Sequence, residues 1–156
     1  MVEAPRESGT LRSIRTLLLI SLVLGIIGTA GELALLGHVE SATQWIPLIA
    51  LALSVPVLLW HAAAPGRVTV RALRLLMVAF MAIGIIGVGL HYDGNVEFER
   101  ELHPKDAGLT FLTHVMAGAT PVLAPGSMVL LGLVGIAHAY RHPSAARGAD
   151  RQETVS

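Results

Sequence analysis

Four long apolar stretches separated by short polar ones organise the chain, three of them close to the roughly 20 residues that cross a hydrocarbon core. They cover about 14–36, 45–60 and 75–90, then an interrupted stretch from Phe111 to Tyr140. Unbroken, the last would be a helix of about 45 Å, too long for an upright span. It contains Pro121 and the pair Pro125-Gly126. Thr120-Pro121 has the form of an N-cap followed by proline at the first helical position. The pattern therefore predicts a short interfacial helix over about 107–119 and a last span over about 121–140. A single helix kinked by proline is the alternative. Asp93-Gly94-Asn95 reads as a turn that ends the third span. The expected fold class is an all-α membrane protein, with four transmembrane helices in one domain over 1–143. A small polar tail over 144–156 is expected to be disordered and cytoplasmic.

Charge then orients the spans. Arg6, Arg12, Arg15, Arg67, Arg71, Arg74, Arg141, Arg147 and Arg151 all fall on one side, leaving Arg100 and Lys105 on the other. The positive-inside rule puts the nine arginines, and with them both termini, in the cytoplasm. Opposite them lie Glu32, Glu40, Asp93, Glu97, Glu99, Glu101 and Asp106, with His38, His91, His103 and His114. Trp45 and Trp60 flank the second span as interface anchors. A cleavable signal peptide ending near Gly28-Thr29-Ala30 is the competing reading of the first stretch. Apolar character resumes over Leu33 to Leu36, which favours a retained span.

An internal repeat sharpens the picture. At an offset of 59 residues, Arg12, Arg15, Leu17, Gly25, Ile26, Ile27 and Gly28 match Arg71, Arg74, Leu76, Gly84, Ile85, Ile86 and Gly87. This suggests a duplicated helical hairpin, two plus two, with parallel copies about an axis along the membrane normal. Gly25, Gly28, Gly84 and Gly87 offer small surfaces for helix packing. Glu32 and His91 occupy matched positions, each four residues beyond the last glycine of its copy. If the two glycine faces met, they would bring Glu32 and His91 together.

Composition limits the chemistry. The chain is 53% hydrophobic and 14% charged with zero formal net charge, so it carries no nucleic-acid footprint. It has no cysteine, which removes disulfides, thiolate metal sites and cysteine nucleophiles. The candidate polar site is Glu32, His38, His91 and His114, with Glu32, His91 and His114 as candidate metal ligands for a divalent ion. None of these outer histidines stands in an H-E-x-x-H or H-x-x-x-H motif. Glu97, Glu99, Glu101 and His103 read first as a solvated acidic loop. Haem held by His91 and His114, or a quinol pocket at His91, Tyr92 and Glu32, is a weaker reading. His61, His138 and His142, among arginines at span ends, read as interfacial anchors and contacts to anionic lipid.

Several segments carry a resemblance: Gly31-Glu32-Leu33, Leu36-Gly37-His38-Val39-Glu40, His91-Tyr92, Gly94-Asn95-Val96-Glu97-Phe98-Glu99, Gly118-Ala119-Thr120-Pro121, Leu123-Ala124-Pro125-Gly126 and Tyr140-Arg141-His142-Pro143. Through them the chain, from about 17 to 143, resembles a family of small, uncharacterised bacterial four-span integral membrane proteins. The resemblance implies the architecture and no activity. The favoured functional expectation is a non-enzymatic accessory or assembly module whose outer Glu/His cluster binds a partner or a divalent metal. Its setting is the lipid bilayer, as a homodimer or part of a larger membrane complex. The alternative is a metal- or quinol-dependent membrane enzyme using Glu32 and His91. A channel or transporter with Glu32 as its ion site ranks third.

Overall fold

A computed structural model of the chain describes residues 8–37, 39 and 41–146. His38 and Glu40, and the tail from 147, lie outside the described residues. The described chain is all-helical: α1 Gly9–Leu35, α2 Ala42–Ala63, α3 Arg67–Leu102, α4 Gly108–Ala117, α5 Gly126–Ala139 and α6 Pro143–Ala146. Of these, α1, α2 and α3 are long and apolar enough to cross a membrane. Their starts follow from local chemistry. Ser8 caps α1 by accepting from the Leu11 N–H at 3.3 Å, and the Gln44 side chain reaches back to the Ser41 N–H at 3.1 Å to open α2. At α3, the Thr69 hydroxyl oxygen accepts from the Gly66 N–H at 2.9 Å.

Much of the apolar surface points outward. Leu17, Leu24, Ile27, Leu59, Leu75, Ile85 and Ile86 are all more than 60% exposed. A water-soluble chain of this size would not display so much contiguous aliphatic surface, whereas hydrocarbon solvates it. The small core is made by Leu22 and Ile26 of α1, Leu51 of α2, Leu73, Met77 and Phe80 of α3, and Met128 and Leu131 of α5.

Several elements differ from the sequence reading. The predicted turn at Asp93-Gly94-Asn95 is helical, and α3 runs on to Leu102 for 36 residues, about 54 Å. That exceeds a hydrocarbon core of about 30 Å, so the polar end of α3 projects beyond its apolar part as a helical stalk. The turn-forming preference of Asn95 is overridden because its side chain bonds to distant backbone instead of its own. The last apolar stretch does divide in two, but later than predicted. After α4 the chain passes through turns at 122–125, and α5 begins at Gly126, not Pro121. Its 14 residues make about 21 Å of helix. Past α5, the short helix α6 keeps residues 143–146 ordered and buries Ser144, so the chain is structured slightly beyond the predicted domain end.

The glycine faces do not meet one another; α5 packs against both α1 and α3. A Cβ at Gly25 would strike Leu131, one at Gly84 would lie 2.8 Å from the Pro125 carbonyl oxygen, and one at Gly87 would lie 2.7 Å from Pro125 Cβ. All three therefore sit at contacts with α5 or the turn before it. Gly28 has nothing within 4 Å of its Cβ position, so the expected packing role does not extend to it. The matched arginines share a target as well. Arg15 donates to the carbonyls of His138 (2.7 Å), Tyr140 (2.8 Å) and Arg141 (3.1 Å). Arg74 donates to the carbonyl between them, Ala139, at 2.5 Å. Both guanidiniums thus satisfy the open carbonyls that a helix C-terminus leaves, where positive charge is favoured.

Candidate functional site

The projecting end of α3 carries a polar stripe with a period of four, His91, Asn95 and Glu99, which His103 continues as the residue just past the helix end. Residues four apart share a helix face, and this face holds α4 and the segment after it. His91 Nδ1 lies 3.1 Å from the Pro121 carbonyl oxygen, which can only accept, so Nδ1 carries the proton. Asn95, 1% exposed, uses its whole amide. Its Nδ2 donates to the carbonyls of Val115 (2.8 Å) and Thr120 (2.7 Å). Its Oδ1 accepts from the Thr120 N–H (3.1 Å) and hydroxyl (2.8 Å). A Cβ at Gly118 would lie 3.0 Å from that amide, so a larger residue there would have to push Asn95 aside by a few tenths of an ångström.

One and two turns further, the same face brings Glu99, His103 and His114 together. Each offers a ligand atom, and the three atoms lie within 4.8 Å of one another. Glu99 is buried at 7% exposure, and its Oε2 lies 3.8 Å from His103 Nε2. The His103 and His114 rings have centroids 5.1 Å apart. His114 Nδ1 approaches Asp106 Oδ2 to 2.9 Å, yet it is a buried atom without an aligned hydrogen bond. A close but misdirected carboxylate beside an orphaned ring nitrogen leaves that nitrogen able to serve another acceptor, or a cation when deprotonated.

Reading residues 97–101 as a loop is corrected by this arrangement. They are helical, so Glu97 and Glu99 point to different faces: Glu97 and Glu101 are exposed while Glu99 turns inward. Of the four predicted site residues, His114 belongs to this cluster, and His91 sits on the same stripe bound to the Pro121 carbonyl. Glu32 is exposed, and among the described residues it forms no side-chain hydrogen bond or ion pair. The structure does not join it to His91, because α5 packs against the faces that were to meet. The fourth, His38, lies outside the described residues.

A second cluster stands at the other end, where the sequence reading saw only anchors. His61 in the last turn of α2, His138 in the last turn of α5 and His142 just beyond it offer three ring nitrogens within 4.8 Å of one another. His61 Nε2 and His138 Nε2 are 3.3 Å apart. The ring centroids are 5.4 Å apart for His61–His138, 5.1 Å for His61–His142 and 5.5 Å for His138–His142. His61 and His138 are buried. One signal for it was present in the sequence: His138 and His142 form an H-x-x-x-H motif, which the reading of these residues as anchors passed over. It does not act here as a helical i, i+4 pair, because α5 ends at Ala139 and Arg141 turns the chain with φ +44°.

Comparison with protein-family models, with curated proteins and with solved structures finds no match for the chain.

Proposed function

We propose that this chain is a four-span protein of the bacterial inner membrane, a non-enzymatic accessory or assembly module of the family it resembles. In this reading its acidic end binds a divalent metal through Glu99, His103 and His114. The carrying observation is the convergence of a buried carboxylate and two imidazoles within 4.8 Å at the tip of α3. A carboxylate is costly to bury unless a positive group pairs with it, and a bound cation would supply that group. Imidazole with carboxylate suits zinc, manganese or iron. Bound there, the ion would tie α3 to α4 and give the projecting end a fixed shape for a partner subunit.

The fourth span is α5 together with the turns from Pro121 to Pro125, since α5 alone is shorter than the hydrocarbon. A duplicated hairpin accounts for Arg15 and Arg74 reaching adjacent carbonyls of α5, and for Gly25 and Gly84 both facing that helix. The enzymatic alternative built on Glu32 and His91 has no comparable observation in its favour, with Glu32 exposed and His91 held to the Pro121 carbonyl.

Two experiments test the reading. Reporter fusions after Pro65 and after Asp106 should report the cytoplasm and the outside respectively; the same side for both would refute the orientation. For the metal, Glu99→Gln in the purified full chain should weaken zinc binding at the acidic end at least tenfold, since losing even a partner that only orients a ligand costs about 10–100-fold. Glu97→Gln, two residues away on an exposed face, should leave it unchanged. Equal behaviour of the two variants would remove the site.

A further inference from the structure

We propose a second metal site, for a zinc-like transition-metal ion, at the arginine-rich end, with His61 and His138 as its principal ligands and His142 as the third. It is independent of the acidic-end site. The argument starts from the outer nitrogens of the two rings. His138 Nδ1 lies 3.0 Å from the Arg15 carbonyl oxygen. A carbonyl only accepts, so this nitrogen keeps its proton and Nε2 presents a lone pair. His61 Nδ1 lies 3.4 Å from the Thr69 hydroxyl oxygen. That hydroxyl receives the Gly66 N–H and has the Gly66 carbonyl at 3.0 Å for its own proton. It therefore has a lone pair left to accept from His61 Nδ1, and the His61 lone pair also falls on Nε2.

In those tautomers two Nε2 lone pairs face each other across 3.3 Å, on residues only 4% and 3% exposed. Such an arrangement calls for a positive centre. Two nitrogens each bound to a tetrahedral zinc ion are about 3.3–3.4 Å apart, which matches the observed separation. Backbone or hydroxyl partners on the far ring nitrogen are the usual outer shell of metal-bound histidine, where they fix both tautomer and ring direction. The ends of α2 and α5 also converge here, and helix C-termini favour cations. His142 completes a three-nitrogen set. Its Nδ1 accepts from the Ser144 N–H at 3.3 Å, and ligand duty would replace that long bond. This makes His142 the weakest of the three ligands. With no cysteine in the chain and no carboxylate grouped with these rings among the described residues, the donor set there is imidazole, which suits zinc, copper or nickel better than calcium or magnesium.

The competing occupant is a single proton on His61 Nε2, donated to His138. Zinc titration of the chelator-treated, detergent-purified full chain separates the two. With both sites real, the wild type takes up two zinc ions per chain and Glu99→Gln retains one tight ion. Adding His61→Gln to Glu99→Gln should then abolish the remaining uptake. If Glu99→Gln binds no zinc while folded, or the double variant binds as well as the single one, the histidine site is overturned. A wild type that binds one ion, fully retained in Glu99→Gln and lost in His61→Gln, upholds this site and removes the acidic one. Should His61→Gln fail to fold, His142→Ala in the Glu99→Gln background supplies the test. Its ring is only half-buried, and its loss should weaken zinc binding at least tenfold; unchanged affinity would overturn the site.

Discussion

Replacing Asn95 with leucine should destabilise the fold more than any other single polar substitution on α3, by about 3–4 kcal/mol, as judged by unfolding in detergent. The Asn95 amide satisfies the carbonyls of Val115 and Thr120 and the N–H of Thr120, and a leucine would leave these three backbone groups without a partner. Each buried polar group stranded in this way costs about 1–3 kcal/mol, and partial relaxation toward water reduces the sum. Asn95→Asp should behave nearly as badly, since a carboxylate keeps the acceptor but loses both donors and adds a charge at a buried position. The cost should be local first. The break between α4 and α5 would loosen, and hydrogen exchange at 115–120 should rise well before exchange in α1. Unchanged exchange there in a folded Asn95→Leu protein would show that the amide does not hold the break together.

Asn95 also shows why the acidic end was only partly legible from sequence. Asp-Gly-Asn is a strong local turn signal, and taken locally it ends the third span. The signal that overrides it is the four-residue spacing of His91, Asn95, Glu99 and His103, which has meaning only if the helix continues. Local propensity and long-range hydrogen bonding disagreed, and the buried hydrogen bonds prevailed because their partners lie 20 and 25 residues away, beyond any local window. The three apolar helices were legible because length and hydropathy decide them without tertiary information. Their start points shifted because capping by Ser8 and Gln44 recruits polar residues into the first turns. The histidine cluster at the other end was hidden for a different reason: His61 is 77 residues from His138, and only the packing of α2, α3 and α5 brings them together.

The seam between α3 and α5 supplies the second large effect. Gly132→Ala should cost about 2–3 kcal/mol, and Gly132→Val should prevent stable packing of α5 altogether, because overpacking against backbone cannot be relieved by side-chain rotation. A Cβ at Gly132 would lie 2.6 Å from the Met77 carbonyl oxygen and 3.2 Å from the Met81 N, both backbone atoms of α3. Between membrane helices there is little hydrophobic drive, so close backbone approach through small residues carries the association. Gly84 on the facing helix is under the same constraint, with Val129 N at 2.9 Å from its Cβ position, and Gly84→Ala should fall in the same range. Gly28, which belongs to the same sequence repeat, is the internal control. Its Cβ position is open, so Gly28→Ala should be neutral or slightly stabilising through helix propensity. The contrast tests whether the two glycine motifs, alike in sequence, share a mechanical role. Equal losses at Gly28 and Gly84 would mean that α1 uses its glycines as α3 does, and that another helix or a second copy of the chain covers Gly28. A large loss at Gly84 with none at Gly28 assigns the tight seam to α3 and α5, leaving that face of α1 to lipid.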